Sequence, residues 1–399
     1  MEYSFSDKIA ALKPSAIREI FKNLTDPSVI SFAAGNPAPE SFPVEALKKL
    51  AEDIFLHAST PALQYSITDG YAPLREAIAA RQITRFGASM VREGDETIVV
   101  SGGQQGIELA CKVFCNEGDT VICEDPSFIG ALNAFRSNGA RTVGVPMEQD
   151  GPNLEALEET LKTEKRAKLL YLIPTFQNPT GITTSEKKRR AILALAEKYG
   201  IMILEDNPYG ELRFAGSDIP TLKSMDTSGH VIYCSSFSKI LSAGMRVGFV
   251  IAPAAVATKM VVAKQSEDVH TNIFFQMLCH RYVTEYDLDA HIAKINALYR
   301  RKCNLMLDCI DRYISPKHAT FTRPEGGLFL WGTLQGRNDS TPFVQKALEK
   351  KIAVVPGATF LCDPTQASPS FRLNYSTPTD EQIEYGVRAL GEALSALYS

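Results

Sequence analysis

Seven short apolar runs rich in β-branched residues recur along the chain at residues 97–100, 120–123, 142–145, 169–173, 201–204, 231–234 and 247–251. Helical patterns such as 185–199 fall between several of them. Strands that alternate with helices imply a mostly parallel sheet covered by helices on both faces, so the expected fold class is α/β. Residues 43–57 and 70–86 read as helices ahead of the first glycine turn. After a long helix over about 290–314 the pattern changes to short runs at 329–331, 353–355 and 371–373, with a closing helix from Thr379. That part reads as a smaller α+β domain. The expected division is a segment 1–44 that packs with the small domain, a large domain over 45–288 and the small domain over 289–399.

Four blocks in this framework carry chemistry. The first is Ser236-Phe-Ser238-Lys239, followed seven residues on by Arg246. A lysine amine can condense with a carbonyl, the two hydroxyls can donate to phosphate oxygens, and the guanidinium can take the same phosphate with paired N–H bonds. A solvated loop with a surface lysine would have the same letters. The second block weighs against that reading: the run at 201–204 ends in Glu205-Asp206-Asn-Pro208-Tyr209-Gly210. Ligands in an α/β sheet bind outside the carboxyl ends of strands, which puts Asp206 at the mouth of a site. A carboxylate there can keep a pyridine nitrogen protonated, as a pyridoxal cofactor requires to act as an electron sink, and Tyr209 can donate to the cofactor's phenolic oxygen. An ordinary turn aspartate before Pro208 is the alternative.

The third block, Ser101-Gly102-Gly103-Gln104-Gln105-Gly106, precedes a helical pattern with Ile107, Leu109, Ala110 and Val113. Free backbone N–H groups at such a helix start point at an anion, although a glycine turn that merely caps a helix looks alike. The fourth, from Tyr171 through Pro174 to Asn178-Pro179-Thr180-Gly181, runs a strand into a turn that presents one amide. Asn-Pro is also a common turn initiator.

In this order the blocks resemble the fold-type I pyridoxal phosphate enzymes, and within them the class I/II aminotransferases. The branch most resembled holds the kynurenine/2-aminoadipate aminotransferases and the aminotransferase-like domains of some GntR-type regulators. The resemblance runs from Pro14 to about the last helix. It implies bound pyridoxal 5'-phosphate, with Lys239 as the Schiff-base lysine, Asp206 as the partner of the ring nitrogen, and Tyr209 and Asn178 as donors to the phenolic oxygen. Gly103, Gln104, Ser236, Ser238 and Arg246 would form the phosphate cup. Phe128, in Glu124-Asp-Pro-Ser-Phe128, matches the aromatic that stacks on the cofactor ring, where family members often carry tyrosine. Tyr65 matches a tyrosine that reaches the phosphate bound by the neighbouring subunit, which implies a homodimer with shared active sites. Arg372 matches the clamp on the substrate α-carboxylate, with Asn178 and the backbone of Gly35 assisting; an exposed strand arginine is the bland reading. Arg18, in Pro14-Ser-Ala-Ile-Arg18, matches an arginine offered to the substrate from a segment over the site, and beside Glu19 it also reads as a solvated helix residue. Ala243 departs from the proline of many relatives and leaves that loop less constrained.

The implied activity is amino transfer from an L-amino acid (2-aminoadipate, aromatic or large aliphatic) to a 2-oxo acid, 2-oxoglutarate in the first instance, by a ping-pong mechanism. The same fold and lysine serve carbon–sulfur β-lyases and decarboxylases. A ligand-sensing domain would need a DNA-binding extension of roughly 70 residues, for which the stretch before Pro14 is too short. Composition agrees with an enzyme: 399 residues with 45% hydrophobic content suffice for about two domains, and a net charge of −4 argues against nucleic acid. The longest apolar stretch, 247–263, is broken by Pro253, Thr258 and Lys259, so no membrane span is expected. Met1 to Lys8 lacks a signal peptide's basic start and apolar core. Eight scattered cysteines, among them Cys111, Cys123, Cys234 and Cys279 in apolar segments, suit reduced core thiols in a cytoplasmic protein. Cys111 and Cys115 share a helical face, and packing outweighs a redox or metal role there. The six histidines form no constellation, and no metal is expected.

Overall fold

The computed structural model describes residues 3–10, 12, 26 and 28–399. Strand β1 (Ile30–Ser31) lies in the N-terminal segment. Next come β2 (Asp95–Val100), β3 (Thr120–Asp125), β4 (Arg141–Glu148) and the short β5 (Gly151–Pro152). They are followed by β6 (Ala167–Leu172), β7 (Met202–Asp206), β8 (Val231–Ser236) and β9 (Gly248–Pro253). Every one of the expected runs forms a strand of one eight-stranded sheet, ordered β2-β9-β8-β7-β6-β3-β4-β5. The pairs β8-β7, β7-β6, β6-β3 and β3-β4 are parallel. Strand β9 runs against both its neighbours, and β5 turns back on β4.

Successive strand side chains face opposite sides of a sheet, and both sides are filled. Val121, Cys123, Leu169 and Tyr171 join the core beneath helices Gly103–Phe114 and Ile129–Ser137. Ile122, Leu170, Leu172 and Ile203 join a second core beneath helices Leu154–Thr163 and Glu186–Tyr199. The last of these starts where the sequence suggests, with the Ser185 side chain accepting from the Lys188 N–H as a cap.

The C-terminal part opens with helix Leu288–Tyr313, which packs on the closing helix Asp380–Tyr398. Thr379 and Gln382 form a capping box at the start of that closing helix. Between them lie β10 (Ala319–Phe321), β11 (Phe329–Leu334), β12 (Ile352–Ala353), β13 (Val355–Pro356) and β14 (Ser370–Asn374). Strands β10-β11-β14-β13 form an antiparallel sheet. The single strand expected at 353–355 is divided: β12 pairs in parallel with β1, and after Val354 the chain changes partner so that β13 pairs with β14.

This topology creates the crevice. From β3 the chain moves outward to β4, then returns to the other side of β3 as β6 and continues away through β7 and β8. The carboxyl ends of β3, β6, β7 and β8 therefore border a switch point, where open α/β sheets bind ligands. Strand β9 presses on the turn at the edge of that crevice. A Cβ at Gly248 would lie 2.7 Å from the Gly102 carbonyl carbon and 2.8 Å from the Gly103 nitrogen. Gly248→Ala is expected to destabilise the fold by about 1–3 kcal/mol, the range for forced overpacking. Urea unfolding reads this as a lowered midpoint, and an unchanged midpoint would show that the turn yields freely.

Candidate active site

A cavity of about 360 Å³ opens at the switch point. Asp206 ends β7 and Tyr209 follows in its loop; Ser236 ends β8, and Ser238, Lys239 and Arg246 follow it. Gly103 and Gln104 come from a helix start, Phe128 from the chain after β3 and Asn178 from the chain after β6. Arg372 reaches in from β14, and Gly35 from the N-terminal segment. Tyr65 does not line this cavity: it is 82% exposed, with its ring edge-on to His270. Arg18 lies outside the described residues.

One end of the cavity is built for an anion. Gly102 takes φ +80° to turn the chain from β2 into the helix, and a side chain there would run into the Arg246 guanidinium. Arg246 itself holds φ +55°, a strained value for a non-glycine residue and one that clusters at ligand sites. Its guanidinium donates to the Ser101 carbonyl at 3.3 Å and the Ala243 carbonyl at 3.2 Å. The Ser236 hydroxyl donates to the Ser238 hydroxyl at 2.7 Å and accepts from the Ser238 N–H at 3.0 Å. Helix-start N–H groups, hydroxyls and a guanidinium together form the donor set of a phosphate site.

The middle of the cavity holds a carboxylate and a phenol. Asp206 is buried, and its carboxyl is pushed up to about 7 by loss of water, against a hydrogen bond from Tyr171 that favours ionisation. The Asn178 amide donates to the Tyr209 hydroxyl at 3.4 Å, and burial pushes that hydroxyl's pKa up, so it stays a donor at neutral pH. Phe128 forms a wall; any side chain at Gly130 would run into its ring. These residues match the aromatic wall, ring-nitrogen acid and phenol donors of a pyridoxal site.

At the other end, Arg372 is 3% exposed, which overturns the reading of a surface arginine. It donates to Asn178 Oδ1 at 2.8 Å and to the Ala33 carbonyl at 2.7 Å, and its charge lies 4.2 Å and 4.8 Å from the Phe329 and Phe360 ring centroids. Burial draws its pKa down to about 10, so it stays charged at neutral pH. Its Nε is buried without a partner among the described residues. The Gly35 carbonyl, expected to assist this clamp, accepts instead from Lys239 Nζ at 2.8 Å. Lys239 is lowered to about 8, first by burial and then by the nearby charges of Arg372 and Arg246.

Sequence reading missed Tyr171, Ala33, Phe329 and Phe360, which look like ordinary core residues. Glu124, in the same block as Phe128, carries no expected role. Glu124 is wholly buried, accepts from the Ile173 N–H at 3.0 Å and Gln177 Nε2 at 3.2 Å, and is pushed up to about 7 by burial. An acid inside an apolar strand was the available signal.

The sheet, its switch point and this cavity define a fold-type I pyridoxal phosphate-dependent enzyme. The chain belongs to the family described as aminotransferase class I and II, which matches residues 27–390. It is 38% identical over 397 residues to the aromatic-amino-acid aminotransferase 1 of Thermococcus litoralis, covering 98% of this chain and 94% of that one. It superposes on the kynurenine aminotransferase of Pyrococcus horikoshii, solved with PMP, at a TM-score of 0.94 and 35% identity, covering 99% and 98% of the two chains. It superposes equally well in coverage, 99% and 98%, on the alpha-aminoadipate aminotransferase of Thermus thermophilus, solved with N-(5'-phosphopyridoxyl)-L-leucine, at 0.90 and 40% identity. The protein is an aminotransferase and its cofactor is pyridoxal 5'-phosphate.

Capture of that cofactor needs a neutral amine, and the lowered pKa makes Lys239 neutral above about 8 instead of above the ordinary 10.5. Uptake of pyridoxal phosphate by apoprotein is expected to quicken as pH rises through about 8, read by absorbance. Lys239→Ala is expected to leave no borohydride-reducible adduct at that position; a reduced adduct on another lysine, found by mass spectrometry, would contradict the assignment.

Proposed function

We propose that this aminotransferase moves the amino group of 2-aminoadipate, aromatic or large aliphatic L-amino acids to 2-oxoglutarate by a ping-pong mechanism, in a cytoplasmic homodimer with shared active sites. The observation that carries this reading is the convergence of Lys239, Asp206 and Arg372 on one cavity. The named substrates of the relatives support the donor range. The proposed division remains 45–288 as the cofactor-binding domain and 289–399 as the small domain, with 1–44 packed on the latter.

Bound pyridoxal phosphate supplies an electron sink for the charge left at the substrate's α-carbon. Asp206, ionised, would hold the ring nitrogen protonated, and Tyr209 with Asn178 would donate to the phenolic oxygen. Gly103, Gln104, Ser236, Ser238 and Arg246 would hold the cofactor's phosphate. Arg372 binds the α-carboxylate through paired N–H bonds, with its plane fixed by Asn178 and the two phenylalanine rings. Lys239 Nζ removes the α-proton; an amine with a pKa near working pH has the balance of free base and proton affinity that a general base needs. Phe128, on the cavity wall, would pack against the cofactor ring and restrict its tilt. Arg18 is the proposed partner of a second substrate carboxylate.

Steady-state rates with 2-aminoadipate, tyrosine and leucine against 2-oxoglutarate test this reading, and parallel double-reciprocal lines are the expected ping-pong signature. Arg372→Leu is expected to raise KM about tenfold to a hundredfold for amino and keto acids alike, as for one lost hydrogen bond to a charged group. Cofactor affinity should stay near wild type; unchanged KM for both substrates would move the carboxylate clamp elsewhere.

The exposed apolar side chains Leu63, Tyr65 and Ile67 support a subunit interface. Free cysteines throughout the described chain support the cytoplasm. No helix among the described residues is long and apolar enough to cross a membrane. Mixing Lys239→Ala chains with Tyr65→Ala chains should restore one intact site per hybrid dimer, provided each parent is impaired. Hybrid activity no better than the parents, with subunit exchange demonstrated, would mean that each chain builds its site alone.

A further inference from the structure

One side chain outside the cavity touches its most deeply placed carboxylate. Tyr171 stands on β6 with Leu169 on the same face of the sheet, wholly buried. Its ring packs edge-on against Phe135 with centroids 5.4 Å apart. Its hydroxyl donates to Asp206 Oδ2 at 2.7 Å. Among the described residues no other group donates to that carboxylate, so Oδ1 is the oxygen left for a ligand. We propose that Tyr171 is a positioning residue that keeps the Asp206 carboxylate ionised and turns its free oxygen toward the ring nitrogen of the bound cofactor. This rests on the reading of Asp206 as the partner of that nitrogen.

The physical need is plain. A carboxylate taken out of water reverts to the neutral acid unless a donor holds its charge. The groups that face Asp206 do not supply one. Glu124, at the end of β3, is itself a buried acid that repels a second negative charge. Tyr209 hydrogen-bonds with Asn178, and the Cys234 thiol on β8 points its weak donor at the Gly103 carbonyl. Tyr171 alone donates. Burial and the neighbouring Asp206 drive its own pKa well above the ordinary value, so it remains a donor at every pH the enzyme meets. With Asp206 neutral, the ring nitrogen would lose its ion pair, and the electron sink would weaken even in a loaded enzyme. Packing on Phe135 fixes the phenol ring, so the position of the hydroxyl does not depend on the ligand.

Tyr171→Phe keeps the ring and removes only the donor. The test loads wild type, Tyr171→Phe and Asp206→Asn with pyridoxal phosphate isotope-labelled at the ring nitrogen, and reads its protonation by nitrogen NMR at neutral pH. The cofactor dissociation constant is measured beside it. Wild type is expected to show a pyridinium signal. Tyr171→Phe is expected to move it toward neutral pyridine, with about tenfold to hundredfold weaker cofactor binding, the loss expected for one hydrogen bond to a charged group. A pyridinium signal kept in Asp206→Asn would sink the reading of Asp206. A signal lost in Asp206→Asn but kept in Tyr171→Phe, at wild-type affinity, would overturn the role of Tyr171 while leaving Asp206 in place. Should Tyr171→Phe fail to fold, a crystal structure of loaded wild type decides: the hydroxyl still on Asp206 Oδ2 supports the proposal, and a hydroxyl turned to another acceptor overturns it.

Discussion

The Arg372 guanidinium holds together three stretches of chain that are far apart in sequence. It stands on the small antiparallel sheet, donates to Asn178 beyond β6 of the large sheet, and donates to the Ala33 carbonyl of the N-terminal segment. Phe329 and Phe360 bracket it, so a charge that burial would otherwise penalise heavily gains from two ring faces. Removing one partner from such a buried group costs far more than the same change at the surface. The site's dimensions therefore depend on this contact: if Arg372 shifts, the carboxylate end moves relative to Lys239 and Asp206, which belong to the large sheet. Backbone pairing reinforces the tie, since β12 pairs with β1 and β13 with β14 just before and after Val354.

Burial also sorts the protonation states in and behind the cavity. Loss of water pushes acids up and bases down, so Asp206 and Glu124 rise to about 7 and Lys239 falls to about 8. The two acids differ in their donors. Glu124 accepts from a backbone N–H and an amide, and its second oxygen is orphaned. Asp206 accepts from a phenol and turns its other side to the cavity. Among the described residues Lys239 has no carboxylate partner, and the charges of Arg372 and Arg246 lie near it, which favours a neutral amine able to act as nucleophile and base.

Most of the large sheet was legible because its central strands are buried on both faces and read as continuous β-branched runs, as at 120–123 and 201–204. What escaped was short or decided by partners distant in sequence. Strand β10 has three residues, β5 has two, and the change of partner at Val354 leaves no local mark. The loops of the site were legible because glycine, proline and the lone lysine occur where a turn meets a strand end. Tyr171 was not, because one aromatic in an apolar strand has the same pattern whether its hydroxyl is idle or holds a carboxylate. Phe360 was hidden likewise: only the folded chain brings it over Arg372.

Phe128 and Ala243 differ from the tyrosine and proline that the resemblance implies at those positions. Phenylalanine at 128 lacks a hydroxyl that a tyrosine would offer, yet the ring does not need that hydroxyl to be held. Gly130 leaves room for it, and Gln104 donates to the Gly130 carbonyl at 2.8 Å, which fastens the start of the following helix to the glycine turn after β2. Placement of the aromatic wall thus comes from packing and a backbone contact, and the anion end keeps its serine hydroxyls and Arg246. Alanine at 243 gives up the fixed φ of proline. The carbonyl at this position accepts from Arg246, and the same guanidinium reaches the Ser101 carbonyl on the opposite turn. The strained Arg246 residue is therefore tied to carbonyls on two turns, and a guanidinium that lines the cavity also braces the loop that carries it.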